Sequence, residues 1–290
     1  MKRVLIATAA LGVLVACGKK SAGSYEVLEA TTNIDNVDLM RAGADALWEQ
    51  RGDAAKLEQA LASYEQIVAS DPTDRDAYER LVRGYYFLGD GHYTEGEKKE
   101  AAWIKSIEWS KRCLALNEDF ASKLDKGDET EATAAAALES DDMPCMYWGA
   151  SALGKWGKTQ GLATLLNYKD QIFAWMTVLD QSDPDYFYTA STRYFGAYYS
   201  ALPSFAGQDL DKSKELFEKA IEAHPDHFGN RVLICEYWAV KTQTRSVCEE
   251  QLDYVLNADP TVLPDLQPEQ EAEQRKAQAL KDQLDDLFVE

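Results

Sequence analysis

The chain has 290 residues, and 50 acidic against 30 basic side chains give it a formal net charge of −20 at pH 7. So acidic a surface argues against nucleic acid and anionic lipid headgroups as ligands of the protein as a whole. The length allows a substantial buried core. Apolar residues recur mostly at intervals of three and four, with few alternating runs, so the composition and spacing predict an all-α protein.

The first twenty residues have the features of an export signal. Met1-Lys2-Arg3 precedes the apolar run Val4–Val15, which is too short and wrongly flanked for a membrane-spanning helix. Leu14-Val15-Ala16-Cys17 follows, and it resembles the lipobox of bacterial lipoproteins, in which the Cys becomes the lipidated first residue. The alternatives are an ordinary signal peptide with a chance Cys, or an uncleaved apolar start. We predict a signal peptide at residues 1–16 and a lipid anchor at Cys17.

The domain organisation follows from this start. The stretch after Cys17 is rich in Gly, Lys and Ser and has little to bury, so residues 17–35 are predicted to be the lipidated Cys and a flexible tether. Residues 36–290 are predicted to form a single helical domain. An exported and lipidated chain belongs in the bacterial periplasm, attached to a membrane, and we favour the outer membrane over the inner one.

A repeating pattern of helical hairpins runs through that domain. In the tetratricopeptide pattern, the second helix carries a small residue at the crossing, then an aromatic, a second small residue and a Pro at fixed spacing. Small residues let two helices approach closely, and Pro ends each unit. Matching sets are Ser213, Phe217, Ala220 and Pro225; Ala60, Tyr64, Ile67 and Pro72; Ile172, Met176, Leu179 and Pro184; and Cys248, Leu252, Val255 and Pro260. A fifth, less regular second helix ends at Cys113–Asn117.

The first helices of the hairpins lie between these segments. They are predicted at Val37–Arg51, Asp76–Leu88, Met143–Lys158, Tyr186–Ala201 and Phe228–Thr242. Extra material interrupts the repeats at Gly89–Glu97, Ala121–Asp142 and Leu202–Asp211. A last helix, Pro268–Phe288, presents an apolar stripe that would cap the stack. The predicted fold is an irregular tetratricopeptide-like superhelix of about five hairpins with a C-terminal capping helix. Unrelated amphipathic helices with chance Pro residues are the alternative.

Four cysteines remain in the mature chain. Cys235 and Cys248 occupy matching crossing positions of consecutive helices, so their Cα atoms are expected within about 7 Å, as a disulfide requires. Cys113 faces the helix that begins near Cys145, although an irregular segment separates them. The alternative is four buried thiols that pack as small apolar residues.

The sequence contains no convincing catalytic or metal-binding pattern. There is no C-x-x-C and there are only three His, so neither a metal nor another cofactor is expected. Gly149–Lys155 approaches a phosphate-binding loop, but Trp156 stands where Ser or Thr is required and no strand precedes it. We therefore expect a protein that is not an enzyme.

A ligand site is suggested by aromatic and basic residues on the first helices. Seven rings crowd between Tyr186 and Tyr199, more than one helix face can bury, so some are expected to line a surface or cavity. Helical register turns Arg193 inward, with Arg83 and either Lys241 or Glu236. Inward cations suit an anionic ligand, and ordinary salt bridges are the alternative. The predicted ligand-binding residues are Trp148, Lys155, Trp156, Arg193, Tyr198 and Glu236.

Four segments carry a family resemblance: Asp183–Tyr188, Arg193–Pro203, Gly207–Ala220 and Glu236–Ala239. In them the chain resembles the TatT family, tetratricopeptide-type lipoproteins associated with TRAP (tripartite ATP-independent periplasmic) transporters. The resemblance implies an accessory lipoprotein with a cavity or pore for a small organic ligand, such as a carboxylate or an amphipathic molecule. It also implies a periplasmic solute-binding protein as partner. A scaffold lipoprotein for envelope assembly or secretion, binding proteins only, is the alternative, and homo-oligomers are left open.

Overall fold

The structure is a computed structural model that describes residues 25–125, 127 and 129–289, and every regular element in those residues is helical. The first four helices are α1 Val37–Trp48, α2 Ala54–Ser70, α3 Arg75–Phe87 and α4 Gly96–Leu114. Next come two short helices, α5 Glu118–Asp125 and α6 Glu131–Ala134. They are followed by α7 Met143–Thr159, α8 Leu162–Ser182, α9 Tyr186–Ala201 and α10 Leu210–Ala223. The remaining helices are α11 Phe228–Leu233, α12 Val240–Thr242, α13 Arg245–Asn257, α14 Gln267–Lys281 and α15 Leu284–Leu287.

The helices pair into successive hairpins, which confirms the predicted all-α helical-hairpin fold. Four pairs are α1 with α2, α3 with α4, α7 with α8, and α9 with α10. In the fifth, α13 pairs with a helix in three parts, because a π-helical segment at Ile234–Ala239 joins α11 to α12. A second π-helical segment, Leu88–His92, extends α3 into the region predicted as a loop.

Side-chain caps and prolines define where the hairpin helices begin and end. The carboxylate of Asp53 accepts a hydrogen bond from the backbone N–H of Ala55 (2.8 Å), and Asp74 and Asp209 cap α3 and α10 in the same way. Such N-caps contribute about 1 kcal/mol each. At the other end, Asp71 and His224 are extended, with φ of −129° and −134°, because each precedes a proline.

Small residues at the predicted crossings allow the helices to approach closely. Ser213 is fully buried, and its hydroxyl donates to the carbonyl of Gly196 on the neighbouring helix at 2.7 Å. A Cβ on Gly196 would lie 3.0 Å from the ring of Phe217, which is tighter than an ordinary contact. Ala60 and Cys248 are likewise fully buried at the equivalent positions of α2 and α13.

The same close approaches bring the cysteines together in pairs. Cys235 and Cys248 have Cα atoms 4.5 Å apart, and the structure joins their sulfur atoms. It also joins Cys113 to Cys145, with a Cα separation of 6.3 Å, because the insert between them folds back onto the hairpins. Formation of these bonds in the cell stays a prediction.

The segment before α1 makes a few contacts with the helical domain. The signal peptide, Cys17 and the first part of the tether lie outside the described residues. From Tyr25 onward most side chains before α1 are exposed, but a few groups contact the helices. The Tyr25 ring packs edge-on against Phe120 (centroids 5.3 Å apart), and the N–H groups of Thr31 and Thr32 donate to the carbonyl of Ala69. Residues 25–34 form no helix or strand, and the flexible tether at residues 17–35 stays a prediction.

The C-terminal helix does more than cap the last hairpin. Leu284 and Phe288 are buried against that hairpin, as the apolar stripe predicts. On its other side, α14 reaches the beginning of the chain: Glu269 pairs with Arg51 at 3.0 Å and with Arg83 at 2.8 Å. The side chain of Arg275 donates to the carbonyl of Gly91 at 3.0 Å. The superhelix is thereby closed into a ring, and the seam is made largely of ionic and polar contacts.

Candidate functional site

A cavity of about 390 Å³ lies inside this ring, and this size suits a small organic ligand. Its walls come from α3, α7, α8, α9 and α11, from both π-helical segments and from α14. The first helices of four hairpins therefore face the cavity, and the C-terminal helix completes its wall.

Five of the six predicted ligand-binding residues line this cavity: Trp148, Lys155, Arg193, Tyr198 and Glu236. Trp156 is the exception and is corrected. Its ring packs against Tyr168, with centroids 5.9 Å apart, and against the hydrophobic core. One residue corresponds to a rotation of about 100° around a helix, and here that rotation turns Trp156 towards Tyr168 while Lys155 lines the cavity.

Aromatic rings form much of one wall. The Trp148 ring lies 4.8 Å from that of Phe187 and 5.3 Å from that of Tyr86, measured between centroids. Of the seven rings between residues 186 and 199, Phe187, Tyr194 and Tyr198 reach the cavity. Such rings offer large apolar surfaces to a ligand while their edges and hydroxyl groups remain available for polar contacts.

The backbone at the start of α9 has an unusual conformation. Phe187, Tyr188 and Thr189 have φ values of 44°, 60° and 59°, so three consecutive residues are left-handed, and none is glycine. This conformation costs about 1–2 kcal/mol per residue relative to the right-handed one. Strain of this kind persists only where the surroundings impose it, and it clusters at functional sites.

Arg193 supplies part of those surroundings. Its side chain is 4 % exposed and donates to the carbonyls of Phe187 (2.9 Å) and Tyr188 (2.7 Å). It also donates to the hydroxyl of Tyr147 at 2.7 Å. The sequence offered two roles for Arg193, as an anion-binding group or as a salt-bridge partner of a surface carboxylate. The contacts of its guanidinium are instead with backbone and phenol oxygens.

Ion pairs form another part of the cavity wall. Asp90, in the first π-helical segment, accepts from Lys155 at 3.0 Å and also pairs with Lys276 of α14. Burial alone would raise the pKa of Asp90, but the two ammonium groups hold it well below its usual range. Glu236, in the second π-helical segment, pairs with Lys158 at 3.0 Å. Burial opposes its ionisation too, yet Lys155 and Lys158 lower its pKa.

Basic residues outnumber acidic ones along the described cavity wall. The basic residues are Arg83, Lys155, Lys158, Lys169, Arg193, Lys241 and Lys276, and the acidic ones are Asp90, Glu236, Glu269 and Glu273. The chain as a whole has the opposite balance, with a net charge of −20. A positively biased cavity in an acidic protein favours an anionic ligand.

Sequence analysis missed His227, which lines the cavity beside the left-handed turn. Its ring stacks on that of Tyr188, with centroids 5.2 Å apart. Burial lowers the pKa of His227 well below its ordinary value, and the positive charge of Arg193 lowers it further. The ring is therefore neutral at pH 7. His227 directly precedes α11 and belongs to no recognisable motif, so only its proximity to Tyr188 in the fold could reveal it.

Fold and site together define a class: an all-α protein of helical hairpins, closed around an aromatic and basic cavity of ligand size. A protein-family model described as the TRAP transporter T-component (TAtT) matches residues 93–288. Since this match covers more than half of the chain, the protein belongs to that family and is an accessory component of a TRAP transport system, placed in the cell envelope.

A search of curated proteins found no match. None of the helices within the described ranges combines the length and apolarity needed to cross a bilayer.

Proposed function

We propose that this T-component binds a small organic anion with an apolar part in its central cavity. The observation that carries the proposal is the pairing of an aromatic wall with an excess of basic groups inside a closed ring. The rings would cover the apolar part of the ligand, and the basic groups would favour its carboxylate. Binding and transfer are the activities that these aromatic and basic side chains support best.

A fluorescence titration tests this binding, with anilinonaphthalene sulfonate as an aromatic anionic probe and aliphatic and aromatic monocarboxylates as competitors. Tyr198→Ala removes a cavity ring and should weaken binding about tenfold, equivalent to about 1.4 kcal/mol. Tyr199→Ala is the matched control, because this neighbouring ring does not line the cavity. Equal affinities of the two variants would contradict a site in the cavity.

We further propose that the partner is the periplasmic solute-binding protein of the same transport system. Family membership supports this partner, and stacked hairpins offer broad surfaces for a protein. The alternative is a scaffold that binds proteins only. An open superhelix with a peptide groove would favour that alternative, whereas the ring closed by α14 favours a ligand carrier. Affinity purification from a membrane extract should recover a solute-binding protein. Recovery of secretion or outer-membrane assembly proteins in its place would support the scaffold.

The proposed location is the periplasm, with a lipid on Cys17 holding the protein to a membrane. The apolar run that ends in Leu-Val-Ala-Cys supports this anchor. Metabolic labelling with a fatty-acid analogue tests it: wild-type protein should take up the label and Cys17→Ala should not. Label retained by the variant would contradict the anchor site.

A further inference from the structure

The left-handed turn at residues 187–189 places a ring in the cavity wall that a regular helix would place elsewhere. The Phe187 ring lies 4.8 Å from Trp148 and 5.7 Å from Tyr147, and the Arg83 guanidinium lies 5.2 Å from its centroid. If residues 187–189 were right-handed instead, the Phe187 side chain would point away from these neighbours. The shape of the aromatic wall therefore depends on the hand of three residues.

Nothing in the local sequence favours that hand. Phe, Tyr and the β-branched Thr all avoid the left-handed region, and the turn contains no glycine or asparagine to relieve the strain. An external interaction must therefore compensate for it. The carbonyls of Phe187 and Tyr188 both accept from the guanidinium of Arg193, which lies one and a half turns further along α9.

Geometry suits an arginine for this task. One terminal nitrogen, Nη1, reaches both carbonyls, and the other, Nη2, is fixed by the Tyr147 hydroxyl. The planar guanidinium therefore joins the turn to the neighbouring helix α7, where Tyr147 and Trp148 lie. Lysine has the charge but not this fork of donors.

We propose that Arg193 is a positioning residue of the ligand site: it holds the turn at residues 187–189 left-handed and thereby fixes the Phe187 ring in the cavity wall. This rests on the proposed function, in which the cavity binds an organic anion. Arg193 acts on the ligand through Phe187, and the charge that attracts the anion comes from other basic residues of the wall. Phe187 and Arg193 together thus determine which apolar shapes the cavity accepts.

Rescue by glycine tests this role, because glycine adopts the left-handed conformation without steric cost. Binding of anilinonaphthalene sulfonate is measured for wild type, Arg193→Met, and Arg193→Met combined with Thr189→Gly. We expect at least about a tenfold loss in the single variant and recovery to within about threefold of wild type in the double variant. Arg193→Met with Thr192→Gly is the matched control. Thr192 is also buried, but it lies in the right-handed part of α9, so glycine there should not rescue.

Two outcomes would overturn the proposal. One is unchanged probe binding by Arg193→Met. The other is a loss of binding that Thr189→Gly does not recover, which is the result expected if Arg193 contacts the ligand directly. Hydrogen exchange in a peptide covering residues 186–192 supplies a readout without ligand. It should be faster in Arg193→Met and return towards wild type in the Thr189→Gly double variant. If wild type does not bind the probe, the proposed function fails, while the exchange data still decide the role of Arg193. Should Arg193→Met not fold, Arg193→Lys, which retains the charge, takes its place with the same expected rescue.

Discussion

Asp90 illustrates how a buried charge depends on its partners. Its carboxylate lies between the ammonium groups of Lys155 and Lys276, and the three side chains are 11 %, 21 % and 25 % exposed. Two cations held this close in a cavity wall are tolerated because the carboxylate stands between them. Asp90 is consequently a structural centre of the basic wall, and it connects α14 to the hairpins.

We predict that Asp90→Asn lowers the free energy of unfolding by about 3 kcal/mol, because it leaves the two ammonium groups without their shared carboxylate. Urea denaturation monitored by circular dichroism measures the change. Asp253→Asn is the control: it breaks a pair with Lys281 whose side chains are 54 % and 43 % exposed, and it should cost less than about 1 kcal/mol. Similar losses of unfolding free energy in both variants would contradict the prediction, because the buried ion pairs would then contribute no more than an exposed one.

His227 should make stability depend on pH. Burial lowers its pKa in the folded protein, whereas the unfolded chain has the ordinary value of about 6.5. Below that pH the unfolded state binds a proton that the folded state resists, so this contribution is fully present above about pH 6.5 and is lost as the pH falls. His227→Gln should flatten the decline in unfolding free energy between neutral and mildly acidic pH. Burial also lowers the pKa of His92, which accounts for a remaining slope. An unchanged slope in His227→Gln would contradict the prediction.

At the level of single residues, the sequence identified the side chains that lie on regular first helices. Trp148, Lys155 and Arg193 face the cavity because hairpin register determines their direction. Trp156 was misplaced by one position of that register. The sequence did not predict that Asp90 and Lys276 line the cavity. They lie on a π-helical segment and on the C-terminal helix, where the repeat pattern does not apply.

The fifth hairpin contains a cysteine pair that the structure joins. Cys235 and Cys248 are fully buried, their Cα atoms are 4.5 Å apart, and they are separated by 13 positions in sequence. A bond that closes so short a loop contributes roughly 2–3 kcal/mol in the chain-entropy model.

We predict that the exported protein contains the Cys235–Cys248 bond. Mass spectrometry after alkylation of the denatured, non-reduced protein should show both thiols protected, and reduction should expose them. Replacement of both residues by serine should lower the unfolding free energy by about 2–3 kcal/mol. Complete alkylation without a reductant would rule the bond out and favour two buried thiols.

At the level of elements, most helix boundaries were predictable within a few residues because Asp caps and prolines mark them. The π-helical segment at Leu88–His92 could not be predicted, because it depends on close packing that no sequence pattern indicates. A Cβ on Gly89 would lie 2.5 Å from Nε1 of Trp103. The left-handed turn in α9 was equally hidden, because its residues have no local preference for that hand.

For the molecule as a whole, closure of the ring is the feature that converts a stack of hairpins into a protein with a central cavity. The sequence predicted the last helix and its apolar stripe but gave no sign that α14 reaches Arg51 and Arg83, residues more than 180 positions away. Those contacts arise from the curvature of the superhelix, which a small rotation from each repeat to the next accumulates to produce. The cavity follows from that curvature.

The central claim is that this ring carries a small organic anion for a TRAP transport system, and native mass spectrometry tests it most directly. The protein is isolated under non-denaturing conditions from the envelope of its own host, alone and with any bound solute-binding protein. We predict one small organic acid per chain in wild type and in Tyr199→Ala, and a clearly lower occupancy in Tyr198→Ala, as its roughly tenfold weaker binding requires. A wild-type chain that carries no small molecule in any of these preparations, while still holding protein partners, would contradict the claim.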